Sequence, residues 1–178
     1  MLAEAEKVLP QNADALDLRS IVREIVVAMK EGGNKGVKAT FDVPPEGKIE
    51  VIGGIHMRNA IMLGLSDVIR SRLDGGIKME TKVVPVKKSD GKSFWQIRVS
   101  VLNRSMSNEF KDVLSTPFTP SKRFKRRSAN NLSFAIAIIE HFGGRVWSEV
   151  ISPSDPSKGY SIVAELPRAT GWSSEQST

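Results

Sequence analysis

At 178 residues, 40% of them hydrophobic, the chain is long enough for one domain with a two-layer core. It contains no cysteine, which excludes disulfides and thiolate metal sites, and its two histidines, His56 and His141, have no carboxylate cluster beside them in sequence, which argues against zinc or haem. No apolar run reaches about 18 residues and no basic-then-apolar leader opens the chain, so neither a spanning helix nor a secretory signal is expected, no membrane contact is expected from this segment, and a cytoplasmic setting follows.

The formal charge of +6 makes polyanions admissible partners through summed electrostatics. Basic residues are dispersed except in the run Lys122, Arg123, Lys125, Arg126 and Arg127, with Phe124 inside it. A solvated loop is the plainest reading of that run.

Residues 1–15 read as a linker or helix end, broken at Pro10 and joined to something upstream. Asp17 then precedes Leu18, Ile21, Val22, Ile25, Val26 and Met29, apolar at helical spacing behind an N-cap, with Gly32 and Gly33 as the stop. Residues 37–43 alternate as a half-buried strand does, Pro44 and Pro45 end it, and a short strand follows at 49–52. Met57, Ile61, Leu65, Val68 and Ile69 give a second helix over 57–70, closed by Asp74, Gly75 and Gly76. Strand patterns at 77–86 and 93–102 flank a turn ending in Asp90 and Gly91, which predicts a hairpin.

The stretch 103–131 is irregular around a short helix expected at 109–114. Loops of that length within a compact domain are usually functional or mobile. A third helix then runs from near Asn131 to Phe142, stopped by Gly143 and Gly144, and two strands follow, the first through Val146 and Trp147 and the second from Tyr160 to Pro167. Residues 168–178 read as a polar, frayed tail with Trp172 its only large apolar group. The order predicts an α+β, two-layer sandwich: a mixed, mostly antiparallel sheet with three main helices on one face.

The run Asn131-Leu132-Ser133-Phe134-Ala135-Ile136, followed by Gly143-Gly144-Arg145-Val146-Trp147, and the helix Met57-Arg58-Asn59-Ala60-Ile61-Met62-Leu63-Gly64-Leu65-Ser66-Asp67-Val68-Ile69-Arg70 resemble, in this order and spacing, the ATP-binding domain of sensor histidine kinases. That domain has the Bergerat fold of the GHKL superfamily, and the resemblance covers residues 16–167, with an ATP lid at about 104–130. It implies a site for ATP with magnesium. Asp67 matches an asparagine that holds the ion, and reads either as a surviving ligand or as an exposed helix residue. Leu63 stands where a second polar residue is common, and Arg70 where a phosphate-contacting cation often is, although a solvated helix end reads equally well.

Three departures run through the matching boxes. Asn103 replaces the aspartate that meets adenine, keeping an acceptor but losing the charge. Ser105 and Ser107 replace glycines, restricting positive φ and close backbone approach; the segment from Asn103 to Ser107 also reads as an ordinary polar loop. Asn131 and Ser133 replace the two glycines at a helix start whose amides meet phosphate; Asn130, Asn131 or Ser133 read more simply as N-caps. The resemblance therefore implies a degenerate domain with weak or absent ATP binding and a regulatory role in two-component-type signalling. Its implied partners are a dimerisation-phosphotransfer domain and a response regulator. A working histidine kinase module, with Asp67, Arg70 and the basic lid compensating, is one alternative; a polyanion or nucleic-acid binder is a second, less favoured. Neither His56 nor His141 sits in a phosphoacceptor motif, so self-phosphorylation by this chain alone is not expected.

Overall fold

The computed structural model describes residues 14–31, 38–44, 47–70, 78–116 and 127–169. Strand β1 (Ala15–Asp17) leads into helix α1 (Leu18–Glu31), then β2 (Lys38–Asp42), β3 (Glu50–Ile52), α2 (Gly54–Arg70), β4 (Lys78–Lys87) and β5 (Ser93–Leu102). Helix α3 (Asn108–Ser115), helix α4 (Arg127–His141), β6 (Arg145–Val150) and β7 (Gly159–Pro167) complete the order. The expected α+β sandwich is observed. Its main sheet runs β2-β4-β5-β7-β6, with only the β2–β4 pair parallel, and β1 and β3 form a separate antiparallel pair.

Alternation sorts each strand of the main sheet between two faces. Trp95, Ile97, Val99 and Val101 of β5 lie level with Tyr160, Ile162, Ala164 and Leu166 of β7, and these belong to one core with Leu18, Ile21, Met57, Ile61, Leu132 and Ile139 from the helices. The opposite face is roofed by its own long side chains. Arg98 Nη1 lies 2.5 Å from Glu149 Oε2, and Trp147 Nε1 donates to Glu149 Oε1 at 2.8 Å. Arg145 stacks on the Trp147 ring, 4.5 Å from its centroid, and reaches Glu165 at 3.3 Å.

Glu165 is a carboxylate only 2% exposed in the middle of this face. Its Oε1 is neutralised by Lys88 at 2.6 Å and by Arg145, although neither makes a well-angled hydrogen bond to it. Stripping one cation from a buried carboxylate costs far more than the pair contributes. Lys88 also lies over the Phe94 ring.

Local chemistry explains the element ends. Asp17 Oδ1 accepts from the Arg19 amide at 2.9 Å, the N-cap expected for α1. At the end of α4, Gly143 takes φ +82; its amide bonds the Glu140 carbonyl and that of Gly144 bonds the Ile139 carbonyl. This is a Schellman stop. A Cβ at Gly144 would come within 2.3 Å of the Glu165 carbonyl oxygen, so the turn into β6 requires glycine there.

Helices α2 and α4 pack antiparallel: a Cβ added at Gly53 would meet Phe142, and one added at Gly64 would meet Ala135 Cβ at 2.4 Å. Arg58 of α2 pairs with Glu24 of α1. The small residues at 64 and 135 set the approach of the two helices.

Several boundaries differ from the sequence reading. Helix α2 begins at Gly54, three residues earlier than expected, and β1 was not expected at all; three residues are too short for an alternation signal. The frayed tail does not begin at 168: Arg168 bridges to Val51, and the Ala169 amide donates to Glu50 O at 3.0 Å. Arg168 also lies over the Trp95 ring, 4.0 Å from its centroid. The stops at Gly32 and Gly33 and at Asp74 to Gly76, the lead before Asp14, and Trp172 lie outside the described residues.

Two measurements check this packing. Gly64→Ala gains up to about 1 kcal/mol of helix propensity but overpacks the seam at a cost of about 1–3 kcal/mol, so chemical denaturation should show a net loss, partly recovered by adding Ala135→Gly. Glu149 is the second. Hydrogen bonds from Arg98 and then Trp147 hold its carboxyl below the ordinary value of 4.5. A depressed folded pKa means that the pair's contribution is present above pH 4.5 and fades as pH falls through the lower folded value. An NMR titration of the Glu149 side chain should show its midpoint below that of a Glu149-containing unfolded peptide.

Candidate functional site

The residues singled out from the sequence fall into two groups. The first is the α2/α4 seam. Leu63 and Gly64 lie one turn before Asp67 on α2, and a Cβ at Gly64 would lie 3.9 Å from the Asn131 carbonyl oxygen, so the C-terminal half of α2 meets the first half of α4. Leu63 is 42% exposed. An aliphatic side chain offers no oxygen to a hard cation. Asp67 and Arg70 lie on the α2 backbone, Arg70 as its last residue, and their side chains lie outside those described.

The N-cap reading of Asn130, Asn131 and Ser133 does not hold. Helix α4 starts at Arg127, so all three lie within it. Only the first four amides of a helix lack an intrahelical acceptor, and those of Asn131 and Ser133 come later. Both amides are therefore committed to the helix, and Ser133 is buried. Phe134, beside it, is 45% exposed. The physical reason for the miss is that Arg127-Ser128-Ala129-Asn130 carries no glycine or proline to stop helix propagation backward from the apolar turn. The basic lid is shortened accordingly: Arg127 opens α4, and Lys122, Arg123, Lys125 and Arg126 lie outside the described residues.

The second group is the 103–107 turn. Asn103 has φ +60, the one positive φ among the described non-glycine residues, and asparagine tolerates that region better than most. Its amide donates to the Lys158 carbonyl at 2.8 Å. Ser105 Oγ donates to the Pro156 carbonyl at 3.3 Å, which ties the turn to the loop between β6 and β7. Ser107, with φ −67, is the N-cap of α3; its Oγ accepts from the Phe110 amide at 3.3 Å. Met106 and Phe110 on either side are buried in the core.

Neither serine thus stands where the backbone needs glycine, and the turn is a pinned entry into α3. From the sequence, Ser107 reads as a lost glycine or as part of an ordinary polar loop. Its capping role was legible, because a serine before Asn108-Glu109-Phe110 is an ordinary helix-start signal. Helix α3 packs on α4 and buries Phe110 and Val113, and the contact between the two helices joins the two groups. Among the described residues no cluster of three histidines or carboxylates could hold a metal ion alone, and no helix is long and apolar enough to cross a membrane.

No protein-family model matches the chain, and no curated protein sequence matches it. Solved structures do. The mycobacterial sensor histidine kinase MprB aligns with a TM-score of 0.64 at 12% identity, over 88% of this chain and 97% of that one. The catalytic domain of histidine kinase ThkA in a nucleotide-free form aligns with a TM-score of 0.65 at 16% identity, over 89% and 99%. ThkA in complex with the response regulator TrrA aligns with a TM-score of 0.60 at 17% identity, over 88% of this chain and 42% of that one. At these identities the likeness is one of architecture: the chain has the Bergerat-type fold of histidine kinase catalytic domains.

Proposed function

We propose that this domain serves a histidine-kinase-like signalling protein as a regulatory or interaction module whose ATP binding is weak or absent. The observation that carries the reading is the start of α4 at Arg127. Phosphate binding at a helix start needs amides without intrahelical acceptors, and the positions that match the glycine box, Asn131 and Ser133, are past that zone.

Two further features support it. Leu63 offers hydrocarbon where a magnesium ion asks for oxygen. Asn103 keeps an acceptor for an adenine amino group but gives up the charge that strengthens such a bond about twofold. Asp67 and Arg70 remain the residues by which any residual nucleotide with magnesium would be held. No step of phosphoryl transfer is assigned to them.

The partners that fit this reading are a dimerisation-phosphotransfer domain and a response regulator. ThkA, which shares the fold, was solved with the response regulator TrrA. Nucleic acid fits less well, since outside the run from Lys122 to Arg127 the basic residues are dispersed along the sequence.

Calorimetric titration with Mg-ATP tests the proposal. The expected result is no saturable heat at millimolar nucleotide, an affinity weaker than about −4 kcal/mol. A saturating isotherm with a micromolar Kd would overturn it and favour a working kinase module. Titrating a separately produced response regulator in the same cell should give heat that does not depend on added nucleotide.

A further inference from the structure

The β6 edge of the main sheet has a self-complementary pattern. Among the described residues β6 pairs only with β7, so its other side offers a row of backbone donors and acceptors. Neither proline nor lysine, the usual edge defences, occurs in Arg145–Val150. Its residues on the outer face are Arg145, Trp147 and Glu149: a cation, an aromatic and an anion at alternate positions.

We propose that β6 is a homodimerisation edge, two copies joining antiparallel about a twofold axis through Trp147. That register places Arg145 opposite Glu149 of the partner subunit, Glu149 opposite Arg145 of the partner subunit, and Trp147 opposite its own copy. Opposite charges across strands stabilise a pair, and aromatic pairs do the same. Shifting the axis by one residue in either direction sets Arg145 against Trp147 or Ile151 of the partner subunit and loses both ion pairs. Charge alone therefore selects one register.

The groups have capacity for the contact. The Arg145 side chain is 60% exposed despite its ion pair with Glu165, and that of Glu149 is 42% exposed. One Glu149 oxygen accepts from Arg98 and the other from Trp147, while a carboxylate has about four acceptor sites. Val150, 51% exposed at the strand end, falls diagonal to Val146 of the partner subunit and gains cover. The interface is isologous, as a twofold requires. One strand a side is less than the roughly 1,200–2,000 Å² of a standard stable interface, so the dimer should be reversible.

Sedimentation of the full chain over a concentration series tests this. The weight-average mass should rise from 19.5 kDa towards twice that value, and Glu149→Lys should weaken association at least tenfold while circular dichroism stays unchanged. The chain has no native cysteine, so single thiols report the register independently of that variant. Under mild oxidation Trp147→Cys should cross-link with itself, whereas Ser148→Cys, on the other face, should not. A mass that stays monomeric to the solubility limit would overturn the proposal, as would equal cross-linking at both positions.

Discussion

The close approach of α2 and α4 is the constraint on which the rest of the site depends. Gly64 and Ala135 together provide so little side chain that the helices meet almost backbone to backbone, and an added Cβ has no room. This contact fixes where Leu63 and the Asp67 backbone lie relative to Asn131. It also buries one side of α4 from Ala129 to Phe142, so the helix is held along its length and its first turn is supported by tertiary packing. Helical stability in proteins comes mainly from such packing.

A second constraint acts from the sheet. The turn after β5 is tied by Asn103 and Ser105 to the loop before β7, and Ser107 caps a helix whose Phe110 is buried. A segment with backbone bonds to a neighbouring loop, a cap and two core side chains has little freedom to open around a ligand. The packing bears on the proposed function: Asn103, Ser105, Ser107 and the amides of Asn131 and Ser133 are all engaged in holding the fold together.

Much of this was legible in the residues. The order of elements, the N-cap at Asp17, the hairpin at Lys87 to Ser93 and the glycine stop after α4 follow from periodicity and local chemistry, and the observed ends agree within a few residues. What escaped was set by tertiary partners. β1 is three residues long and exists because β3 lies beside it; Arg168 and Ala169 are ordered by Glu50 and Val51. The start of α4 lies earlier than the resemblance puts it, at Arg127 and not Asn131, because Arg127-Ser128-Ala129-Asn130 contains nothing that ends a helix. The roof of Arg98, Arg145, Trp147 and Glu149 could not be read either, since it needs the β5-β7-β6 order to bring those residues together.

The claim that the Asn131 and Ser133 amides are committed to α4 is tested most directly by amide exchange and Cα chemical shifts across 127–133, with and without a Mg-nucleotide. The account predicts helical shifts from Arg127 onward, slow exchange at Asn131 and Ser133, and no change when nucleotide is added. Rapid exchange and non-helical shifts up to Ser133, with nucleotide-induced protection of the same amides, would contradict it.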